Sequence, residues 1–212
     1  AAADGNVTLV RHDYEIGFPN DVRKITPRVV NPLPAGTVFE TGLDVASLAV
    51  GFDGEQASVV AADAAGAVRL VHATLEESFL DGSLTAELAT YPIPYEGGPI
   101  AAIAIDVDQR ELYVADAFGV LHFFDVQRKS DIRLVDTARV VPEDVSVNGI
   151  AFLSGGISLL VFGTDGTVSQ WFPVRDADNQ YELARVRQFA SGDASVGLTA
   201  PEYHRKGFAA LD

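Results

Sequence analysis

A repeat of about fifty residues constrains this chain more than any other feature of its sequence. Setting turn glycines under one another aligns Val60-Ala-Ala-Asp63-Ala-Ala-Gly66, Val114-Ala-Asp116-Ala-Phe-Gly119 and Val161-Phe-Gly163-Thr-Asp-Gly166. These glycines lie 53 and 47 residues apart, and a further 49 residues separate Gly163 from Asp212, which closes an Ala210-Leu-Asp sequence. Ala1-Ala-Ala-Asp4-Gly5-Asn-Val7 opens the chain on an earlier copy. Such a period holds four short strands with their turns, which is one propeller blade. Helical repeats of similar length need long stretches of 3.6 periodicity, and the chain has none.

The predicted fold is therefore all-β and β-propeller-like, built from repeated four-stranded antiparallel blades: about four blade equivalents in an incomplete ring. Residues 1–212 form a single domain with units at 1–36, 37–98, 99–145, 146–194 and a partial unit at 195–212. In the first unit, residues 4–14 supply a hairpin turn and the third strand of a blade. Phe18–Asp21 is a turn, and Val22–Val30 an outer strand whose Pro27 suits an edge where no ladder donor is needed. The second unit has strands near Val45–Phe52, Ala57–Ala62, Ala67–Thr74 and Leu84–Tyr91, with a short helical turn expected over Glu76–Asp81. The third has Ile100–Asp106, Glu111–Ala115, Val120–Asp125 and Ile132–Thr137. The fourth has Val147–Leu153, Ser158–Phe162, Thr167–Val174 and Tyr181–Phe189. A fifth begins at Gly197 and reaches a second strand over Gly207–Asp212. The inner strands, such as Ala101–Ile105 and Ile150–Phe152, are expected to be the most buried.

Composition limits what such a domain can do. Hydrophobic residues make up 48% of the chain, enough for a sizeable core. A formal net charge of −15 repels a phosphate backbone, so nucleic acid is not an expected partner. The chain has no cysteine, which removes disulfides and thiolate chemistry. No window of about 18 apolar residues reads as a membrane span, and the start does not resemble a signal peptide. With no methionine at position 1 or elsewhere, the sequence reads as a fragment of a longer protein.

The search for chemistry returns mainly turns. His12, His72, His122 and His204 sit at different offsets from their turn glycines, so the repeat does not gather them into a metal site. Glu76-Glu77 and the Asp106/Asp108 pair supply carboxylates of the kind a glycosidase uses. Asp106 and Asp108 flank a β-turn, however, and Asp63 and Asp116 each precede a turn glycine by three residues, where Asp bonds its own backbone. Neither a nucleophile elbow nor a phosphate loop is present. No catalytic, metal or cofactor-binding residue is assigned and no cofactor is expected. Two candidates for interaction remain: Phe118 at a hairpin tip, and the basic cluster His204-Arg205-Lys206, which would lie on a propeller rim.

At Asp165-Gly166-Thr-Val-Ser-Gln-Trp171 the chain resembles WD-repeat propellers, whose third strand follows a similar turn and ends on Trp. Phe124-Asp125 takes the corresponding place in the third unit. No Gly-His dipeptide opens a blade, and the other units lack the Trp. Phe18-Pro-Asn-Asp-Val-Arg-Lys-Ile-Thr-Pro27, Trp171-Phe-Pro-Val-Arg175 and Pro201-Glu-Tyr-His-Arg-Lys-Gly-Phe-Ala-Ala-Leu-Asp212 resemble the propeller-like extracytoplasmic insertion of phosphate-type ABC transporter permeases. That resemblance implies a periplasmic domain of an inner-membrane protein, non-catalytic, serving protein interaction or regulation of transport. It implies as partners the permease core of the same chain, the solute-binding protein or other transporter subunits. The alternative is a stand-alone propeller enzyme, or a small-molecule binder with its site in the central channel. Half-blades at both ends further suggest closure within one chain or a homodimer through open blade edges.

Overall fold

In the computed structural model, which describes residues 5–153, 156–189, 197–199 and 209–211, the aligned glycines occupy the same turn in three successive sheets. Gly66, Gly119 and Gly166 have φ of +93°, +84° and +81°, a region that side chains disfavour. Each donates its N–H to the carbonyl three residues earlier, on Asp63, Asp116 and Gly163 respectively.

The N-terminal unit contains β1 (Asn6–Val7), β2 (Arg11–Gly17), β3 (Lys24–Val30) and β4 (Phe39–Glu40). Strands β1 and β4 pair, as do β2 and β3, and a 3-10 turn over Pro19–Asp21 joins the latter two. The expected strand over Asn6–Tyr14 is thus interrupted at residues 8–10 and runs on to Gly17.

Three complete blades follow. The first is β5 (Val45–Phe52), β6 (Gln56–Asp63), β7 (Val68–Glu77) and β8 (Leu84–Pro92). The second is β9 (Ile100–Ile105), β10 (Glu111–Asp116), β11 (Val120–Asp125) and β12 (Arg133–Arg139). The third is β13 (Val147–Phe152), β14 (Leu159–Gly163), β15 (Val168–Arg175) and β16 (Tyr181–Phe189). Each is an antiparallel meander in chain order. Strands β17 (Gly197–Thr199) and β18 (Ala209–Leu211) pair as the start of a fifth unit, and the described residues of the two terminal half-units do not share a sheet.

The period-two alternation of a strand explains how the blades stack. On β10, Leu112 and Val114 pack with Val60, Val68 and Leu70 of the first blade. Tyr113 and Ala115, pointing the other way, pack with Leu159, Val161 and Trp171 of the third. A separate cluster of Val7, Leu9, Leu33 and Phe39 seals the N-terminal unit against β6 and β7. Small and branched side chains let the sheets approach closely, as in sheet-on-sheet packing generally.

Two expectations are corrected. Glu76 and Glu77 continue β7, paired with Thr85 and Leu84, and the following loop closes with Ser78 N–H on Ser83 O at 2.8 Å. Strand pairing claims Glu76 and Glu77, so the helical turn is confined to residues 78–82, where Gly82 N donates to Ser78 O at 2.9 Å. Burial peaks on the second and third strands of each blade, not on the inner ones: β6, β10 and β14 are buried almost throughout, while Ala101–Ala104 and Ile150–Phe152 are only partly so. The middle strand β10 has a neighbouring sheet on both faces, whereas the first strands β5, β9 and β13 lie beside one another.

Candidate interaction surface

The same turn is capped in different ways in successive blades, and the difference creates a surface. In the first blade Asp63 Oδ1 accepts from the N–H groups of Ala65 and Ala67, both at 2.9 Å. In the second, Asp116 Oδ1 accepts from Phe118 N at 3.0 Å and Val120 N at 2.8 Å. Its Oδ2 takes a further bond, from Gly98 N at 3.3 Å in the connector between β8 and β9. Expected as turn aspartates, both residues fill that role.

The connector lies hard against the turn. A Cβ on Gly98 would stand 2.4 Å from the Phe118 ring, and one on Gly97 would stand 2.6 Å from His122 Nε2. Tyr95 donates its hydroxyl to Gly98 O at 2.6 Å and sets its ring edge-on to His122 at 5.0 Å. Burial, then the Asp116 carboxylate, push the Tyr95 hydroxyl up to about 12, so it acts here as a donor. His122 Nε2 is buried 3.5 Å from Asp116 Oδ2 without a hydrogen-bond partner.

Phe118 is held at the lip of this assembly, 62% exposed, with its carbonyl accepting from Arg139 Nη1 at 2.9 Å. Below it opens a cleft of about 880 Å³ lined by Asp116, Phe118, Arg139, Glu143, Asp144 and Val145. The exposed Glu143 and Asp144, with the buried Asp116 charge behind them, against one guanidinium and beside an exposed ring, favour a cationic group attached to apolar surface. Arg139 also borders a smaller hollow of about 240 Å³ with Thr167, Ser169, Arg185 and Gln188.

Of the candidates predicted from sequence, Phe118 is therefore placed at a cleft, while His204, Arg205 and Lys206 lie outside the described residues. Arg139, Glu143 and Asp144 were missed. The available signal was Pro142-Glu-Asp144, a charged connector directly after an outer strand.

Other polar clusters serve the fold. Asp106 Oδ1 accepts from Arg110 N at 2.7 Å and Glu111 N at 2.6 Å, which assigns it to its turn. Burial raises the Asp106 and Glu111 carboxyls above their ordinary range, and Glu111 accepts the Tyr113 hydroxyl at 2.8 Å. Between the first two blades, Gln109 reaches across to donate from Nε2 to Gln56 O at 3.1 Å and to accept from Ser58 Oγ at 2.6 Å. Since Ser58 has one proton and gives it to Gln109, His72 must carry its proton on Nδ1 and donate to Ser58 Oγ, 2.9 Å away. This serine and histidine resemble a nucleophile and base in spacing only: Ser58 is fully buried and its proton is engaged.

No family model matches the chain, and no curated protein matches it. Solved structures do. The crystal structure of Kluyvelomyces marxianus Hsv2, a β-propeller protein, aligns with a TM-score of 0.53 at 14% identity, covering 77% of this chain. A KlHsv2 whose loop 6CD is replaced by a Gly-Ser linker aligns at 0.52, with the same identity and coverage. The chain spans about half of either, 52%. At this identity the likeness establishes the β-propeller fold.

Proposed function

We propose that this propeller is a non-catalytic interaction module, and that the cleft formed by the second complete blade's turn and the connector after β12 receives a partner segment carrying basic and apolar side chains. The carrying observation is the placement of Phe118 over Asp116, Glu143 and Asp144 in one open cleft. The non-catalytic reading is supported by the aspartates, whose oxygens are committed to turn N–H groups. The partner's identity rests on motif resemblance: residues 18–27, 171–175 and 201–212 point to the permease core or solute-binding protein of a phosphate-type transporter, on the periplasmic side of the inner membrane.

Fluorescein-labelled peptides of alternating Lys and Leu, with Glu-for-Lys counterparts, test the cleft directly. The basic series should bind and the acidic series should not. Phe118→Ala and the pair Glu143→Gln/Asp144→Asn should each weaken binding about tenfold, the pair more so at low salt. Equal binding of both series, or no loss in either variant, overturns the assignment. Titration with a phosphate importer's solute-binding protein tests the partner separately.

A further inference from the structure

The hollow of about 240 Å³ beside the outer strands of the second and third complete blades is lined, among the described residues, by two arginines and no carboxylate. Strict alternation would put Arg185 and Gln188, three residues apart on β16, on opposite faces. A bulge changes the count. Register sets Ser169 opposite Gln188, Gln170 opposite Arg187 and Trp171 opposite Arg185, which leaves Val186 as the extra residue. Arg185 and Gln188 therefore share the face of Ser169 and Trp171, while Arg187 takes the other, a re-aiming that bulges commonly serve. From the neighbouring blade, Arg139 at the end of β12 completes the lining, and Asp136 Oδ2, accepting from Leu183 N at 2.7 Å, holds β12 against β16.

The donors of this hollow are unspent. Among the described residues neither guanidinium is in an ion pair, although the chain carries 30 acidic residues against 15 Lys and Arg. The carboxylates on the surrounding elements are engaged elsewhere: Asp136 by Leu183 N, Asp165 by Thr167, and Glu143 and Asp144 in the cleft beneath Phe118, with Glu182 opposite Val174 at the far end of β16. Arg139 gives Nη1 to Phe118 O and Arg185 gives Nη1 to Gln188 Oε1 at 3.4 Å, which leaves most of each fork open. On the floor Ser169 is 5% exposed; its Oγ accepts from Trp171 Nε1 at 2.8 Å, and its own proton has no described acceptor. A buried hydroxyl with an idle proton beside two open guanidiniums matches an acceptor that carries negative charge. Val140, Val141 and Pro142 add apolar surface, where an ion with oxygens on every side would leave some unsatisfied. The volume lies below the roughly 300–1,000 Å³ of sites for drug-sized ligands, so the ligand is small.

We propose that this hollow binds a small organic oxyanion, a carboxylate or phosphate-ester head on a short aliphatic body. Arg139 and Arg185 clamp the head from two blades, Ser169 donates to it from the floor, and the body lies along Val140, Val141 and Pro142. The site shares only Arg139 with the described lining of the cleft beneath Phe118, so it stands whether or not a basic segment occupies that cleft.

The chain's single tryptophan is a built-in reporter, because its N–H bonds the serine that donates to the ligand. Trp171 emission of the full chain is titrated at constant ionic strength with valerate and with butyl phosphate, and ligand-methyl saturation transfer, followed in parallel, detects binding that leaves Trp171 silent. Pentanamide serves as the uncharged probe and inorganic phosphate as the probe without a body. At least one of the two organic anions should saturate with a dissociation constant near about 1 mM, and the tighter of them identifies the head. Arg185→Gln should raise that constant at least about tenfold, whereas Arg187→Gln, which removes the same charge from the opposite face, should change it less than about twofold. Both arginines are exposed, and an unchanged circular dichroism spectrum checks that the variants fold. No saturable response to either anion by either readout overturns the proposal. So does binding indifferent to Arg185→Gln, or binding weakened equally by Arg187→Gln, which assigns the effect to the general field rather than a clamp. Pentanamide or inorganic phosphate binding as tightly as the organic anions overturns it too, by removing the need for the charged head or the aliphatic body.

Discussion

Gln109 is the residue whose replacement tests the blade-to-blade junction most sharply. It is 1% exposed, sits at a φ of +57°, and inserts its side chain over Gly51, where even a Cβ would come within 2.7 Å of Gln109 Cγ. In Gln109→Ala the Ser58 hydroxyl loses its acceptor and Gln56 O its side-chain donor, while the space over Gly51 empties. Ser58 then turns its proton to His72 Nδ1 and Gln56 O keeps the Asp53 N–H, so no group is left unpaired; two lost cross-blade hydrogen bonds at about 1 kcal/mol each plus the cavity give about 3 kcal/mol. Gln109→Gly loses the same bonds but releases the left-handed strain of a residue with a Cβ, worth about 1 kcal/mol. The glycine variant should therefore be the more stable of the two, by about 1 kcal/mol, although it removes more atoms. Urea unfolding at neutral pH measures both. With a slope of about 2–3 kcal/mol/M, the alanine midpoint should fall by about 1–1.5 M. A loss under about 0.5 kcal/mol for alanine, or glycine below alanine, would refute the reasoning, because neither the cross-blade bonds nor the strain would then hold the junction.

Two further outcomes follow from neighbouring groups. Burial, then the nearby Lys129, lower His72 below its ordinary value, so the unfolded chain takes up that proton first and stability should fall as pH drops below about 6.5. His72→Gln should flatten that part of the urea-midpoint profile, and an unchanged slope would assign it to other groups. Trp171 donates Nε1 to Ser169 Oγ at 2.8 Å inside the third blade, so Trp171→Phe should cost about 1–2 kcal/mol, and a thermal midpoint equal to wild type would show that bond to be dispensable.

The repeat was legible because it is written in local chemistry. A glycine at positive φ, and an aspartate bonding N–H groups two and four residues on, depend on neighbours in the chain, so Asp63–Gly66 and Asp116–Gly119 could be read as turns without a structure. What depends on neighbours in space was read less well. Apolar density in Ala101–Ile105 says what that strand can bury, not how many sheets flank it. The alternation of β2 and β3 says that the pair has two faces, not that Tyr14 and Ile25 stay uncovered. The cleft needed both kinds of information: Phe118 is legible as a hairpin tip, but Arg139, Glu143 and Asp144 gain meaning only when the end of β12 and its connector fold back beside the Asp116 turn, with Val140 N on Gly119 O at 2.9 Å.

Gly163 shows how far the local code bends before the fold does. It stands where the other two blades place the capping aspartate, yet its turn keeps the same backbone bond, Gly166 N to Gly163 O at 3.0 Å. Asp165, two residues later, supplies the cap instead, with Oδ1 accepting from Thr167 N at 3.0 Å and Thr167 Oγ1 at 2.7 Å. That carboxylate and hydroxyl occupy the space a Cβ on residue 163 would need, at 2.6 and 2.8 Å. Glycine and displaced aspartate are thus one change, not two. In moving its carboxylate off position 163, the third blade has no counterpart there to the Asp116 Oδ2 that ties the second blade's turn to its incoming connector. The side-chain apparatus around Phe118 therefore belongs to the second blade's own sequence, and the repeat supplies only the turn on which it is mounted.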